Sequence, residues 1–171
     1  MNRRIILIAC LIAILVVVLA FVILSSPPSS PSTALFVEPQ NVQGTIGQNF
    51  TINVTISNVV DLYGWEFKLG WNPSLLDSVS VNEGPFLSAY AHALGGNTIF
   101  TYFLNTTNEH LVVDCSLEGQ VPGVNGNGTL ATIQFRVKEG GTCDLNLYDT
   151  QLLDSNGTVI SHTVQSGHFN A

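Results

Sequence analysis

The chain has 171 residues and a net charge of −7, and 46% of its residues are hydrophobic. Without Arg3 and Arg4 the charge becomes −9, and only Lys68, Arg136 and Lys138 remain basic. A surface this acidic excludes nucleic acid and anionic lipid surfaces as partners; it suits solubility or a basic partner.

Residues 5–24, IILIACLIAILVVVLAFVIL, carry no charge. A helix of that length spans about 30 Å, the thickness of a bilayer core, so a transmembrane segment is expected. Arg3 and Arg4 precede it and no basic residue follows before Lys68. That asymmetry puts residues 1–4 in the cytoplasm and the rest outside the cell. A cleaved signal peptide is the competing reading, but its apolar core is usually about 7–15 residues and ends at small residues. Here the run is longer and ends ILSSPP. A retained single-pass anchor in the cell membrane is therefore the expectation. Residues 25–33, SSPPSSPST, form a Ser/Pro linker. Residues 34–171 suit one extracellular domain.

Within that domain strand follows strand. LFVEP (35–39) opens, and FTINVTISN (50–58) alternates apolar and polar side chains. LYGWEFKLGWN (62–72) places Tyr63, Trp65, Phe67, Leu69 and Trp71 on one face. Gly64, Glu66, Lys68 and Gly70 lie on the other. Period-two alternation marks half-buried strands. LLDSVSV (75–81), NTIFTYFLN (97–105), HLVVDCSLE (110–118), GTLATIQFRVKE (128–139), TCDLNLYD (142–149) and GHFNA (167–171) follow. Turn residues separate them: NPS, NEGP, PGVNGNG, EGG and DSNG. The pattern predicts an all-β antiparallel sandwich and excludes a parallel α/β sheet. One short helix is expected over SAYAHAL (88–94), with Ser88 as its cap and Gly95 as its end.

No catalytic pattern stands out. His92, His110, His162 and His168 are scattered, and no nucleophile elbow, zincin helix or phosphate loop is present. Ser88 and His92 lie one helical turn apart without an orienting acid. The chain reads as a non-enzyme without a cofactor or metal of its own. DSNG (154–157) is similar to the start of a calcium loop, but a hairpin turn is the preferred reading. Cys115 and Cys143 lie in the exported part, where a disulfide and free thiols are both open. Sequons at Asn49, Asn53, Asn105, Asn127 and Asn156 are candidate N-glycosylation sites. Carbohydrate binding is weakened by the inward parity of both tryptophans, which leaves no tryptophan platform.

The order of motifs, YGWEFKLGWNPSLLDSVSV, then GTLATIQFRV, then a terminal SGHFN, resembles the cohesin family, in particular cohesins of archaeal type. The resemblance covers about residues 35–171 and is carried by 62–81 and 126–137. It implies a nine-stranded jelly-roll sandwich that binds dockerin, a small helical module whose calcium sits on the partner and not on this chain. The fold is shared with cellulose-binding modules, so a carbohydrate-binding module is the alternative. A structural surface domain without a soluble ligand is a third reading. By resemblance, the dockerin-facing sheet consists of 62–72, 98–105, 110–118 and 142–149. Its outer positions are then Gly64, Glu66, Lys68 and Gly70; Asp114, Ser116 and Glu118, with Val112 beside them; and Asn146 and Tyr148, with Asp144. On strand 97–105 both parities are apolar, and Tyr102 is taken as the exposed aromatic. The same topology puts 62–72 between the two cysteine strands. Two strand spacings, roughly 9–10 Å, exceed the reach of a disulfide, which favours free thiols. The function expected is non-catalytic tethering of dockerin-bearing proteins at the cell surface, with polysaccharide breakdown or cell-surface assembly as the setting.

Overall fold

The computed structural model describes residues 32–105 and 110–171. The elements are, in chain order, β1 (Ala34–Glu38), β2 (Asn41–Gln43), β3 (Asn49–Gly70), β4 (Leu76–Glu83), α1 (Pro85–Ala93), β5 (Asn97–Asn105), β6 (His110–Glu118), β7 (Val124–Val137), β8 (Thr142–Asp154), β9 (Thr163–Gln165) and β10 (Gly167–Asn170).

Two layers share one strand. The first half of β3, Asn49 to Ile56, runs between β1 and β7; β9 lies beyond β1 and β4 beyond β7. The second half, Leu62 to Gly70, runs between β6 and β8. There β5 lies beyond β6, and β10 then β2 lie beyond β8. Alternation along each strand turns one side chain in two toward the space between the layers. Ile52, Val54 and Ile56 come from one half of β3, and Phe67 and Leu69 from the other; all five are fully buried. Phe50 of one layer stacks on Phe169 of the other at 5.2 Å, and Trp71 meets Phe135 edge-on at 5.0 Å. Each large apolar side chain so buried contributes about 1.5–3 kcal/mol. Among the described residues the buried core lies between Leu35 and Phe169, and residues 32–171 form one compact unit.

The strand change inside β3 has a local cause. Asn58 and Asp61 take left-handed backbone conformations, φ 53° and 59°, which Asn and Asp tolerate better than other side chains do. The backbone N–H of Asn58 donates to Asn127 Oδ1 (2.6 Å) and that of Asp61 to Asn125 Oδ1 (2.7 Å). Both acceptors stand on β7, in the stretch read as a turn from sequence. From Val124 on that stretch is strand, and its asparagines brace the corner. The expected strands 50–58 and 62–72 are therefore one element.

Other expectations are corrected in the same way. The described residues hold ten strands, not nine, because β2 and β9 are three residues each and too short to show alternation. Their pairings with β10 and β1 are parallel, in an otherwise antiparallel sandwich. The helix begins at Pro85, three residues before Ser88. Gly84 precedes it, and proline in the first turn presets its backbone. Ser88 Oγ donates back to Gly84 O (3.2 Å) and is not the cap. Gly95 takes φ 76° and closes the helix as expected. DSNG forms a turn in which Asp154 Oδ1 accepts from the N–H groups of Asn156 and Thr158.

The membrane-spanning helix is also corrected. Among the described residues no helix is long and apolar enough to cross a membrane, and segment 5–24 lies outside the described residues. The fold that stands is an all-β, jelly-roll-like sandwich with one short helix.

β3 separates β6 from β8, so Cys115 and Cys143 do not meet and both thiols are free. Cys115 is buried, and its thiol donates to Glu83 Oε1 at 3.5 Å. Burial first, and then the Glu83 carboxylate, push its pKa far upward; Cys143 is raised too, chiefly by burial. In the folded domain at pH 8, Cys115 is expected to resist an aromatic disulfide reagent until denaturant is added, with Cys143 reacting slowly. Rapid modification of both would overturn this. Because the folded thiols hold their protons longer, the stability linked to them is intact below the ordinary thiol range, about 8.5. It declines as pH rises above that value.

Candidate functional site

The second layer offers a broad outer face on β5, β6, β3 and β8, and strand register orders it into rows. Ile99, Ser116, Gly64 and Leu153 form the first row. Thr101, Asp114, Glu66 and Gln151 form the second. Phe103, Val112, Lys68 and Tyr148 form the third. Asn105, His110, Gly70 and Asn146 form the fourth. Glu118 stands opposite Asn97 at one end.

The glycines give this face its relief. Gly64 forms the floor of a shallow depression of about 210 Å³ walled by Glu66, Asp114, Ser116, Gln151 and Leu153. Gly70 leaves room beside the ring of Tyr148. At the other end, Gly70, Asn146 and Tyr148 border an open cleft with Trp71 and Asp144.

Charge on the face is uneven. Glu66 and Asp114 are direct cross-strand neighbours, a like-charge pairing that strands ordinarily avoid. Thr101 Oγ1 donates to Asp114 Oδ2 at 2.7 Å and orients that carboxylate. Lys68 lies one row away, 3.0 Å from Asp149 Oδ2. Its hydrogen bond to Asp149 holds its pKa above the ordinary lysine value. Asp149 reaches it because β8 bulges there: its φ is 45°, and the register with β3 slips between Glu66 and Lys68. With its one lysine paired, the face presents Glu66, Asp114 and Glu118 to a partner.

Of the residues singled out from sequence, Gly64, Glu66, Lys68, Gly70, Asp114, Ser116, Glu118, Asn146 and Tyr148 share this face. Tyr102 does not. It pairs with Val113, a core position, and overhangs the open seam beside Val79 and Leu104. The exposed apolar side chains on the face are Ile99 and Phe103. Sequence reasoning had both parities of this strand open, and only the register with β6 separates them. Trp65 is 4% exposed and lies in the core. Trp71 is half-buried, its indole N–H held by Leu76 O at 3.0 Å. Among the described residues no cluster of His, Cys, Asp and Glu could hold a metal ion.

The sequon asparagines differ in access. Asn156 sits on an exposed turn tip and Asn49 is exposed beside Gln134. Asn53 and Asn105 are half-buried, and Asn127 Oδ1 is engaged with Asn58.

The architecture is a two-layer sandwich whose second layer carries the face just described. The cohesin domain model matches residues 35–170, and the chain belongs to the cohesin domain family. Solved structures agree in fold. A non-cellulosomal cohesin from the hyperthermophilic archaeon Archaeoglobus fulgidus superposes with a TM-score of 0.66 at 18% identity, covering 82% of this chain and 91% of that one. A type II cohesin module from Acetivibrio cellulolyticus gives 0.67 at 16% identity, covering 85% and 92%. A type I cohesin–dockerin complex from Clostridium thermocellum gives 0.65 at 13%, covering 85% and 96%. In sequence the chain is 26% identical over 115 residues to cellulose-binding protein A of Clostridium cellulovorans. The match takes in 65% of this chain and 6% of that protein.

Proposed function

We propose that this domain binds dockerin-bearing proteins on the outer face of β5, β6, β3 and β8 and tethers them without catalysis. The observation that carries the reading is the face itself. It joins a glycine-floored depression, two facing carboxylates and two exposed apolar side chains on rigid strands of a cohesin domain. Apolar anchors beside a polar surround are what protein interfaces use. A helix laid across the face would set apolar side chains against Ile99 and Phe103 and a basic side chain over Glu66 and Asp114. The domain would work outside the cell, in keeping with sequons whose asparagines reach the surface, and polysaccharide breakdown or surface assembly is the setting. The carbohydrate-binding alternative has less to stand on, since Trp65 is buried and the polar edge of Trp71 is tied down.

The test is titration of residues 32–171 against dockerins of the source organism. Binding is expected to vanish with EDTA, because the partner's loops need calcium to fold. It is also expected to weaken at least tenfold between about 0.05 and 0.5 M salt, as screening of the Glu66–Asp114 site implies. Firm retention on cellulose or xylan with no dockerin bound would promote the alternative.

A further inference from the structure

Strand β5 closes one side of the second layer. Among the described residues it pairs with β6 alone, so from Ile99 to Phe103 no strand lies along its other edge. Proteins usually blunt such an edge with charge, proline or a bulge. This one has none of these. NTIFTYFLN carries no charge in a chain of net charge −7, and it pairs with β6 over all nine residues without a register shift. Its apolar side chains stay exposed on both faces: Ile99 50%, Tyr102 54%, Phe103 65% and Leu104 38%.

The strand is also close to a palindrome about Thr101. Asn97 answers Asn105, Ile99 answers Phe103, and Phe100 answers Tyr102. We propose that β5 is a self-association edge that pairs antiparallel with β5 of a second copy, on a twofold axis through Thr101.

A twofold pairing sets residue i opposite 202 − i, so odd positions meet odd and even meet even. Two consequences follow. Groups turned away from β6 in one copy meet groups turned away from β6 in the other. Side chains on the outer face meet outer-face side chains, because directly opposed residues of an antiparallel pair share a face. Ile99 then packs against Phe103 of the partner on the outer face, and Phe100 against Tyr102 of the partner on the inner one. Aromatic and β-branched cross-strand pairs of this kind are the favourable ones. The contact is isologous and closes on itself, so it yields a dimer and not a fibre. One strand pair buries less than a standard interface, so the dimer is of the weak, concentration-dependent class.

The test uses residues 32–171 carrying Cys143→Ser, which leaves buried Cys115 as the native thiol. In sedimentation velocity the species is expected to shift from monomer toward dimer between about 5 and 500 µM, the range of weak interfaces. Thr101→Cys, on the axis, is expected to form a disulfide-linked dimer under mild oxidation. Ile99→Cys alone is expected to do so at least tenfold more slowly. An equimolar mixture of Ile99→Cys and Phe103→Cys is expected to cross-link as a heterodimer. Monomer at every concentration, or equal cross-linking by Thr101→Cys and Ile99→Cys, would overturn the proposal. No other protein is present, so the result is independent of whether dockerins bind.

Discussion

Gly64→Gln is expected to weaken dockerin binding about thirtyfold or more while the melting temperature hardly moves. A Cβ built on Gly64 meets its nearest neighbours, Cys115 O and Ser116 Cβ, at 3.4 and 3.6 Å, ordinary contact distances. The backbone there is not in the left-handed region, so the fold accepts a side chain. The longer glutamine fills the depression between Glu66 and Asp114 and lifts an approaching helix off the face. Central interface positions commonly carry effects of this size. Lys68→Glu is expected to act in the opposite direction, tightening the hold on a basic partner. It replaces the cation that balances Asp149 with a third carboxylate beside Glu66 and Asp114. Arg136→Glu, on the other layer, serves as the control and should leave affinity unchanged. Calorimetric titration and thermal melts on the same samples decide it. Equal affinity for the parent, Gly64→Gln and Lys68→Glu would place the binding surface elsewhere.

Phe67→Ala is expected to have the largest effect on stability, a loss of about 3–5 kcal/mol. Phe67 is fully buried, directly behind the candidate face, and its ring stacks on Trp65 at 5.4 Å. Removing it opens a cavity between two layers whose strands are locked by hydrogen bonds and cannot close over it. For a domain of this size such a loss lowers the melting temperature by about ten degrees or more. Chemical denaturation read by tryptophan fluorescence measures it directly, since Trp65 reports from the site of the change. A loss below about 1 kcal/mol would mean that the layers collapse into the vacancy, contrary to the packing described. The two substitutions separate surface from support: one removes binding from a folded domain, the other weakens the domain beneath an intact face.

Three of the four strands that build the face, β3, β6 and β8, were legible because each alternates strictly over seven or more residues. Trp65, Phe67 and Leu69 could only be core, which left Gly64, Glu66, Lys68 and Gly70 outside. What could not be read was set by partners distant in sequence. Nothing near Asn58 and Asp61 announces that Asn127 and Asn125 will receive their N–H groups, so one strand looked like two. Nothing in TCDLNLYD shows that β8 bulges at Asp149 and brings a carboxylate to Lys68. On β5 every position from Ile99 to Leu104 except Thr101 is apolar. Parity there carried no information: Tyr102 is exposed on one side of the strand and Ile99 and Phe103 on the other. The alternation was informative where one face is polar and silent where neither is.

Because β3 belongs to both layers, the sandwich has no seam along which it can come apart in halves. To free Ile52, Val54 and Ile56 from β1 and β7 is to release the strand that carries Phe67 and Leu69 between β6 and β8. Partial opening of either sheet therefore loosens the anchorage of the other, and the low-energy route of peeling one layer away is closed. Strain taken up where a partner grips the outer face passes along a single backbone into the far sheet. The tethering role proposed above is served by that continuity, since a tether must bear load without shedding strands one at a time.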